Sequence, residues 1–327
     1  MTSVIHLPYK EKKIANQLVE EVLKKNGVQF THISEADAIP YLEERNYYYK
    51  FACYRKNFRK NNKNKYIDLD FQYLITLSKL DKELRYILLQ MTLEIEHFLK
   101  VKILKDVSYN NVVDGYAIIQ DYITSYNTKN DRSLSIDSLI DRGKSTNSTN
   151  HGIYTKVIAN NKYIAVWQII EIMQMQELQY FFEYYFKSFP KSDLNVKAYK
   201  SLIISSRYIR NAAAHNSPLL VNLSSSPIDA FTSTGINKRY VNKLLKPHFD
   251  NAVIPSSIIP TYRFKDIAGV LKLYKLLRYN PSASKDPIVE SLRNLLKRIN
   301  NNPPCPKTNN DVMFFFKYTQ KLFEDIF

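Results

Sequence analysis

The sequence predicts an all-α protein, and three observations carry that prediction. Apolar residues recur at spacings of three and four over long stretches, the pattern one face of a helix requires. No run alternates cleanly enough to demand a sheet. Six glycines in 327 residues argue against a turn-rich β fold and against a phosphate loop. With 45% hydrophobic and 13% aromatic residues, the chain can bury a real core in one large or two modest domains.

Taken in order, Ile14, Leu18 and Val22, with Ala15, Val19 and Leu23 beside them, predict an amphipathic helix over 10–25 that stops at Gly27. Ser34 and Asp37 read as a variant capping box opening the next helix. Residues 41–58, "YLEERNYYYKFACYRKNF", mix aromatic and basic side chains ahead of the loop "RKNNKNK". Stacking plus charge suits RNA, whereas a Tyr-rich stripe at helical spacing is more often core.

Asp68 or Asp70 caps a helix through Leu80, and Leu84, Leu88, Met91, Ile95, Phe98 and Ile103 keep a helical period from Asp81 to about Val107. Within it, Glu96 and Lys100 have the i,i+4 spacing of an ordinary surface ion pair. Residues 124–152 are rich in Ser, Thr, Asn and Asp and read as an exposed insertion or lid. A helix follows from about Ile164, with Trp167, Ile170 and Leu178 inward, and runs to Pro190. Another begins near Leu194 or Asn195, with Tyr199, Leu202, Ile203, Ser206, Ile209 and Ala213 as its stripe, until Pro218 ends it. After the loop "VNLSSSPIDAFTSTG", helices are predicted at 264–279, at 287–300 with Asp286 as cap and Pro287 at the first position, and at 311–326. The organisation expected is an N-terminal helical segment (1–65), a helical domain (66–220) with the insertion near 124–152, and a C-terminal helical extension (221–327).

The formal charge is +16, and Lys and Arg are spread along the whole chain. Such a surface favours a polyanion, nucleic acid before an anionic membrane; a Lys- and Asn-rich composition offers a bland alternative. Cys53 and Cys305 form no C-x-x-C pair and lie near no plausible set of His ligands, so neither a disulfide framework nor a metal site is indicated. No apolar run approaches the length needed to span a bilayer, and the N-terminus lacks the apolar core of a signal peptide, so a cytoplasmic location is expected and no cofactor is.

The chemistry concentrates in "SRYIRNAAAHNSPLL", residues 206–220. Asn211 and His215 are four apart and share a helix face, so the amide can hydrogen-bond the imidazole and fix its orientation. Arg210 is five before His215, roughly 140 degrees around the helix, and its stem must bend to reach the histidine. Ala212, Ala213 and Ala214 keep bulk low, which would let another helix approach closely. A histidine and an arginine in one small basic site can bind a phosphodiester, move a proton and stabilise a phosphorane. The bland reading is a C-terminal His meeting helix carbonyls, with the Arg on a solvated face.

"RNAAAH" resembles the R-x(4-6)-H signature of the HEPN superfamily, in which a polar residue often follows the arginine. "YLEERNYYYKFACYRKNF" is similar to the pattern "yL..inYYrlsgY..pF", "LDKELRYILLQMTLEIEHFLK" to "yeFDreLR.lll.aie.iE..lR", and "IAVWQIIEIMQ" to "pvWv.vEvmsfG". These blocks stand in family order over about residues 10–220, and together they resemble the abortive-infection Abi family (AbiD/AbiF-like) within that superfamily. The resemblance implies an α-helical HEPN-type bundle, a role in phage defence or as a toxin, and a metal-independent endoribonuclease site formed across a homodimer. It assigns catalytic roles to Arg210, Asn211, His215 and Glu96, while Arg207, Lys100, Arg55 and Arg59 are the candidate RNA contacts. Departures are Lys100 for the arginine after the "iE" block, Tyr49 for the arginine of "YYrl" and Gln176 for the glycine after "Evmsf". A toxin silenced by nucleotidylation of a tyrosine two residues after the histidine would need that tyrosine where this chain has Ser217. RNA is the expected partner, as substrate and as a small structured non-coding RNA.

Overall fold

Helices account for nearly all of the regular structure, because almost every segment has one apolar face and few residues that break a helix. A computed structural model of the chain describes residues 13–45, 48–129, 133–223, 243, 262–278, 286–306 and 309–327. The start of the first predicted helix and the loop "VNLSSSPIDAFTSTG" beyond Leu223 lie outside the described residues. Among the described residues no sheet forms; only two isolated bridges occur, Gln29 with Asp70 and Lys60 with Tyr66.

The N-terminal layer opens with α1 (Ala15–Gln17), which continues through a π-helical stretch, Leu18–Leu23, and a 3₁₀ turn, Lys24–Asn26, to Gly27 at φ 86°. A left-handed residue is what ends a helix most readily, and glycine adopts it without a Cβ clash. Ser34 caps α2 (Glu35–Pro40) by accepting from the Asp37 N–H at 3.1 Å. α3 (Tyr48–Ala52) and the 3₁₀ turn Cys53–Asn57 follow, with Phe51, Tyr54 and Phe58 buried and Tyr49 out in solvent. Most of the aromatic stripe is therefore core.

α4 (Phe71–Tyr109) is a single helix of 39 residues. Asp70 caps it by accepting from the Gln72 N–H at 2.8 Å, and the same carboxylate receives the Thr31 N–H and hydroxyl, each at 2.7 Å. The two stretches read from the sequence, one through Leu80 and one from Asp81 to about Val107, are one continuous helix. At the join, the Asp81 carboxylate is engaged with Arg85 and with residues beyond α10, and so does not compete for the local N–H groups.

α5 (Ala117–Lys129), α6 (Ile136–Ile140), α7 (His151–Ala159) and α8 (Val166–Ile172) form a flank. Ile136, Leu139 and Ile140 are buried while Lys144–Asn147 are exposed, so the stretch 124–152 has a packed and a solvated part. Arg142 closes that part with a two-pronged pair to Glu177, at 2.8 and 2.6 Å. Trp167, predicted inward, is half exposed: Val166, Ile169 and Ile170 take the core side of α8, and the indole lies over Gly115 and edge-on to Tyr116. α9 (Met175–Ser188) then buries Phe181, Phe182, Tyr185 and Phe186.

α10 (Val196–Ala214) packs in the middle of the bundle against α4, α9 and α11 (Tyr262–Arg278). Pairing of residue 85 with 216, 96 with 210 and 102 with 199 makes α4 and α10 antiparallel. Gly269 of α11 sits against Ser205, where a Cβ would come within 2.6 Å of the serine Cβ, so glycine sets how closely these two helices approach. α12 (Pro287–Asn301), opened by Asp286 and Pro287 as predicted, and α13 (Asn310–Ile326) complete the molecule. One continuous apolar core runs from Ala15 to Ile326, and α11 is part of it as fully as α4 is.

Candidate functional site

The histidine of residues 206–220 owes its position to how α10 ends. Asn195 caps the helix by accepting from the Ala198 N–H at 3.0 Å, and Leu202, Ile203, Ser206, Ile209 and Ala213 face the core. At the other end His215 is the capping residue and Asn216 turns left-handed, with φ 56°. The Ser217 N–H bonds the Ala212 carbonyl at 2.8 Å and the Asn216 N–H bonds that of Ala213 at 3.1 Å. That reciprocal pair satisfies the last carbonyls and holds the chain in a Schellman-type stop. His215 and Asn211 are exposed, whereas Ala213 is buried within its own chain. Of the three alanines predicted to receive a second helix, Ala214 is the one facing solvent.

Below this stop lies a buried polar cluster that the sequence reading passed over. Arg85 donates to Asp81 at 2.7 Å, with side chains 2% and 0% exposed. Arg85 also donates to the Asn216 amide oxygen, and Asp81 accepts the N–H groups of Leu219 and Leu220, each at 2.7 Å. Asn57 donates to the Leu220 carbonyl at 2.7 Å and accepts from the Leu223 N–H at 3.1 Å. A buried ion pair stabilises only when its remaining hydrogen-bonding groups are met, and here the loop backbone meets them. Lys50 is buried nearby; burial, with Arg85 beside it, pushes its ammonium below the ordinary lysine value. Burial pushes the Cys53 thiol up to about 11, the opposite of a reactive cysteine. The legible signal for this cluster was the i,i+4 pair of Asp81 and Arg85 inside "LDKELR", where a charged pair interrupts an apolar period.

Farther along α4, Glu96 and Arg210 face each other at 3.9 Å, with side chains 18% and 35% exposed. The distance is an ion pair's, too long for a hydrogen bond. Arg210 Nη1 donates to the Asn211 amide oxygen at 3.4 Å, so the asparagine meets the arginine and not the histidine as the spacing predicts. Glu96 Oε2, Arg210 Nε and Arg207 Nη1 are buried atoms without hydrogen-bond partners among the described residues. The His215 side chain likewise makes no hydrogen bond among them; its backbone N–H bonds the Asn211 carbonyl at 3.0 Å.

The structure brings Glu96, Arg210 and Asn211 together, with Arg207 one turn back on α10. Lys100, one turn beyond Glu96 on α4, pairs with Glu171 at 3.7 Å instead of with Glu96. Arg55 stacks between the rings of Tyr48 and Tyr66, at 5.5 and 5.9 Å, and donates to the Ala52 carbonyl at 3.1 Å. Arg59 is largely exposed, 3.9 Å from Asp311. These last two belong to the N-terminal layer, and no hydrogen bond or ion pair joins them to Arg210 or His215. Among the described residues no group of His, Cys, Asp and Glu is arranged to hold a metal ion, and no helix is long and apolar enough to cross a membrane.

No curated protein and no solved structure is significantly similar to the chain. The family model of Abi-like proteins, by contrast, matches residues 40–221, more than half of the chain, from α2 through α4 and the Glu96–Arg210 pair to the segment that Asp81 holds. The family's span thus contains both the exposed histidine and the buried cluster beneath it, and the protein belongs to the Abi-like family, whose name implies a part in abortive infection, the defence against phage.

Proposed function

We propose that the protein is a metal-independent HEPN-type endoribonuclease, acting as an effector or toxin of abortive infection. The observation that carries this reading is the juxtaposition of Glu96 on α4 with Arg210 and Asn211, at 3.4 to 3.9 Å, on the helix that ends in the exposed His215. The Arg210 side chain is 35% exposed, so its guanidinium can meet a phosphodiester oxygen, and charge-assisted contacts of that kind are the strong ones. Glu96 pairs with Arg210 Nη2, and the Asn211 amide oxygen accepts from Nη1.

In this mechanism the RNA's own 2′-hydroxyl attacks the adjacent phosphorus. His215 of one protomer takes the hydroxyl proton, Arg210 stabilises the charge building on the phosphorane, and the P–O5′ bond breaks as a proton reaches the leaving oxygen. The second histidine is that of a second copy of the chain. Tyr86, Leu93 and Val101, 53%, 48% and 41% exposed, line the outward side of α4, away from the face that Leu84, Leu88 and Ile95 bury. It runs beside Glu96, and a two-fold partner covering it would bring two motifs together. The +16 charge supplies the field for RNA.

Incubating wild type and His215→Ala with RNA tests the reading. Wild type should yield a 2′,3′-cyclic phosphate or 3′-phosphate and a 5′-hydroxyl, with EDTA present, and should spare a substrate that is 2′-deoxy at the scissile ribose. Equal cleavage by both proteins, or 5′-phosphate products that require a metal, would overturn it. A second reading, a non-catalytic RNA-binding protein that associates with a small structured RNA, draws on the same basic surface; a defined RNA that copurifies with a protein inert toward every RNA would favour it.

A further inference from the structure

We infer that Asn216, Arg85 and Asp81 form a positioning clamp for His215, an inference that rests on the ribonuclease reading for its catalytic consequence. The imidazole has no hydrogen-bond partner among the described residues, so where it stands depends on the backbone of residues 215 and 216 that carries it. That backbone is unusual. Asn216 is left-handed at φ 56°, a conformation that glycine adopts freely and asparagine tolerates. Glycine would satisfy the helix stop equally well. What asparagine adds is a side-chain oxygen, and Arg85, almost fully buried, donates to it.

Arg85 is itself fixed by Asp81 Oδ2 at 2.7 Å, while Asp81 Oδ1 takes the N–H groups of Leu219 and Leu220. One turn of α4 therefore holds residues 216, 219 and 220, and Glu96 on the same helix faces Arg210. His215 lies between two attachments to one rigid element. A catalytic group on a helix end that would otherwise fray is thereby held on the scaffold that also holds the arginine, as productive geometry requires.

The test compares wild type with Asn216→Gly and Asn216→Asp. Asn216→Gly keeps the left-handed turn and removes the acceptor; Asn216→Asp keeps an acceptor for Arg85. Cleavage of RNA under single-turnover conditions should slow about tenfold or more in Asn216→Gly with KM nearly unchanged, and Asn216→Asp should restore the rate to within about threefold. A rate unaltered in Asn216→Gly, or one that falls equally in both variants, overturns the clamp. Hydrogen exchange separates this from failure of the ribonuclease reading. Should wild type cleave no RNA, the amides of residues 215–217, 219 and 220 exchanging about tenfold faster in Asn216→Gly but not in Asn216→Asp, with the rest of α10 unchanged, uphold the clamp. Unchanged exchange overturns it.

Discussion

Two charged pairs on α4 serve the same helix end in opposite ways. Asp81 and Arg85 meet at 2.7 Å, are buried, and spend their remaining capacity on Asn216, Leu219 and Leu220. Glu96 and Arg210 stand 3.9 Å apart, are partly exposed, and leave Glu96 Oε2 and Arg210 Nε without hydrogen-bond partners among the described residues. The comparison separates a pair that builds from a pair that is available. A buried pair lies out of a ligand's reach, whereas a loosely engaged, partly exposed one at the rim still has donors to give.

That contrast can be broken from either side. The largest effect expected is on activity: His215→Ala should lose about two to four orders of magnitude of RNA cleavage while its melting temperature and association state stay those of wild type. Next is stability. Asp81→Ala leaves Arg85 and two backbone N–H groups unpaired in the core and should cost about 3–5 kcal/mol in urea unfolding. Glu96→Ala, by comparison, should cost less than about 1 kcal/mol while impairing cleavage. Equal stability losses in the two variants would erase the distinction between the pairs. Leu93→Glu, on the outward stripe, should leave a folded monomer without activity, read by light scattering beside the cleavage assay; an active monomer removes the composite site. The mildest test is ionic strength: RNA affinity should fall steeply between low and moderate salt as condensed counterions are released, and a flat response would make the +16 charge compositional.

Local signals were read well where the physics is local. Gly27, Ser34, Asp70, Asn195 and the Asp286–Pro287 step end or open helices because each acts on backbone groups within three residues. The core stripe of α10 was likewise visible in its period. The failures share a cause. Asp81 and Arg85 have the spacing of an ordinary pair on one helix, and only partners 138 and 139 residues away reveal what the Asp81 carboxylate holds. Glu96 and Lys100 have the right spacing for each other, yet each is engaged by another helix, through Arg210 and Glu171. Trp167 falls in phase with a core stripe and still covers the surface at Gly115 and Tyr116.

By itself the sequence determined the helical class, most helix ends, and the residues Arg210, Asn211 and His215 as the place to look. Periodicity and capping depend on neighbours along the chain, and those are written in order. Tertiary structure alone decided which charges pair and that the histidine is carried on a helix end fastened to α4. Those outcomes depend on how α4 and α10 lie against each other, and a one-dimensional spacing carries no information about what stands across the groove.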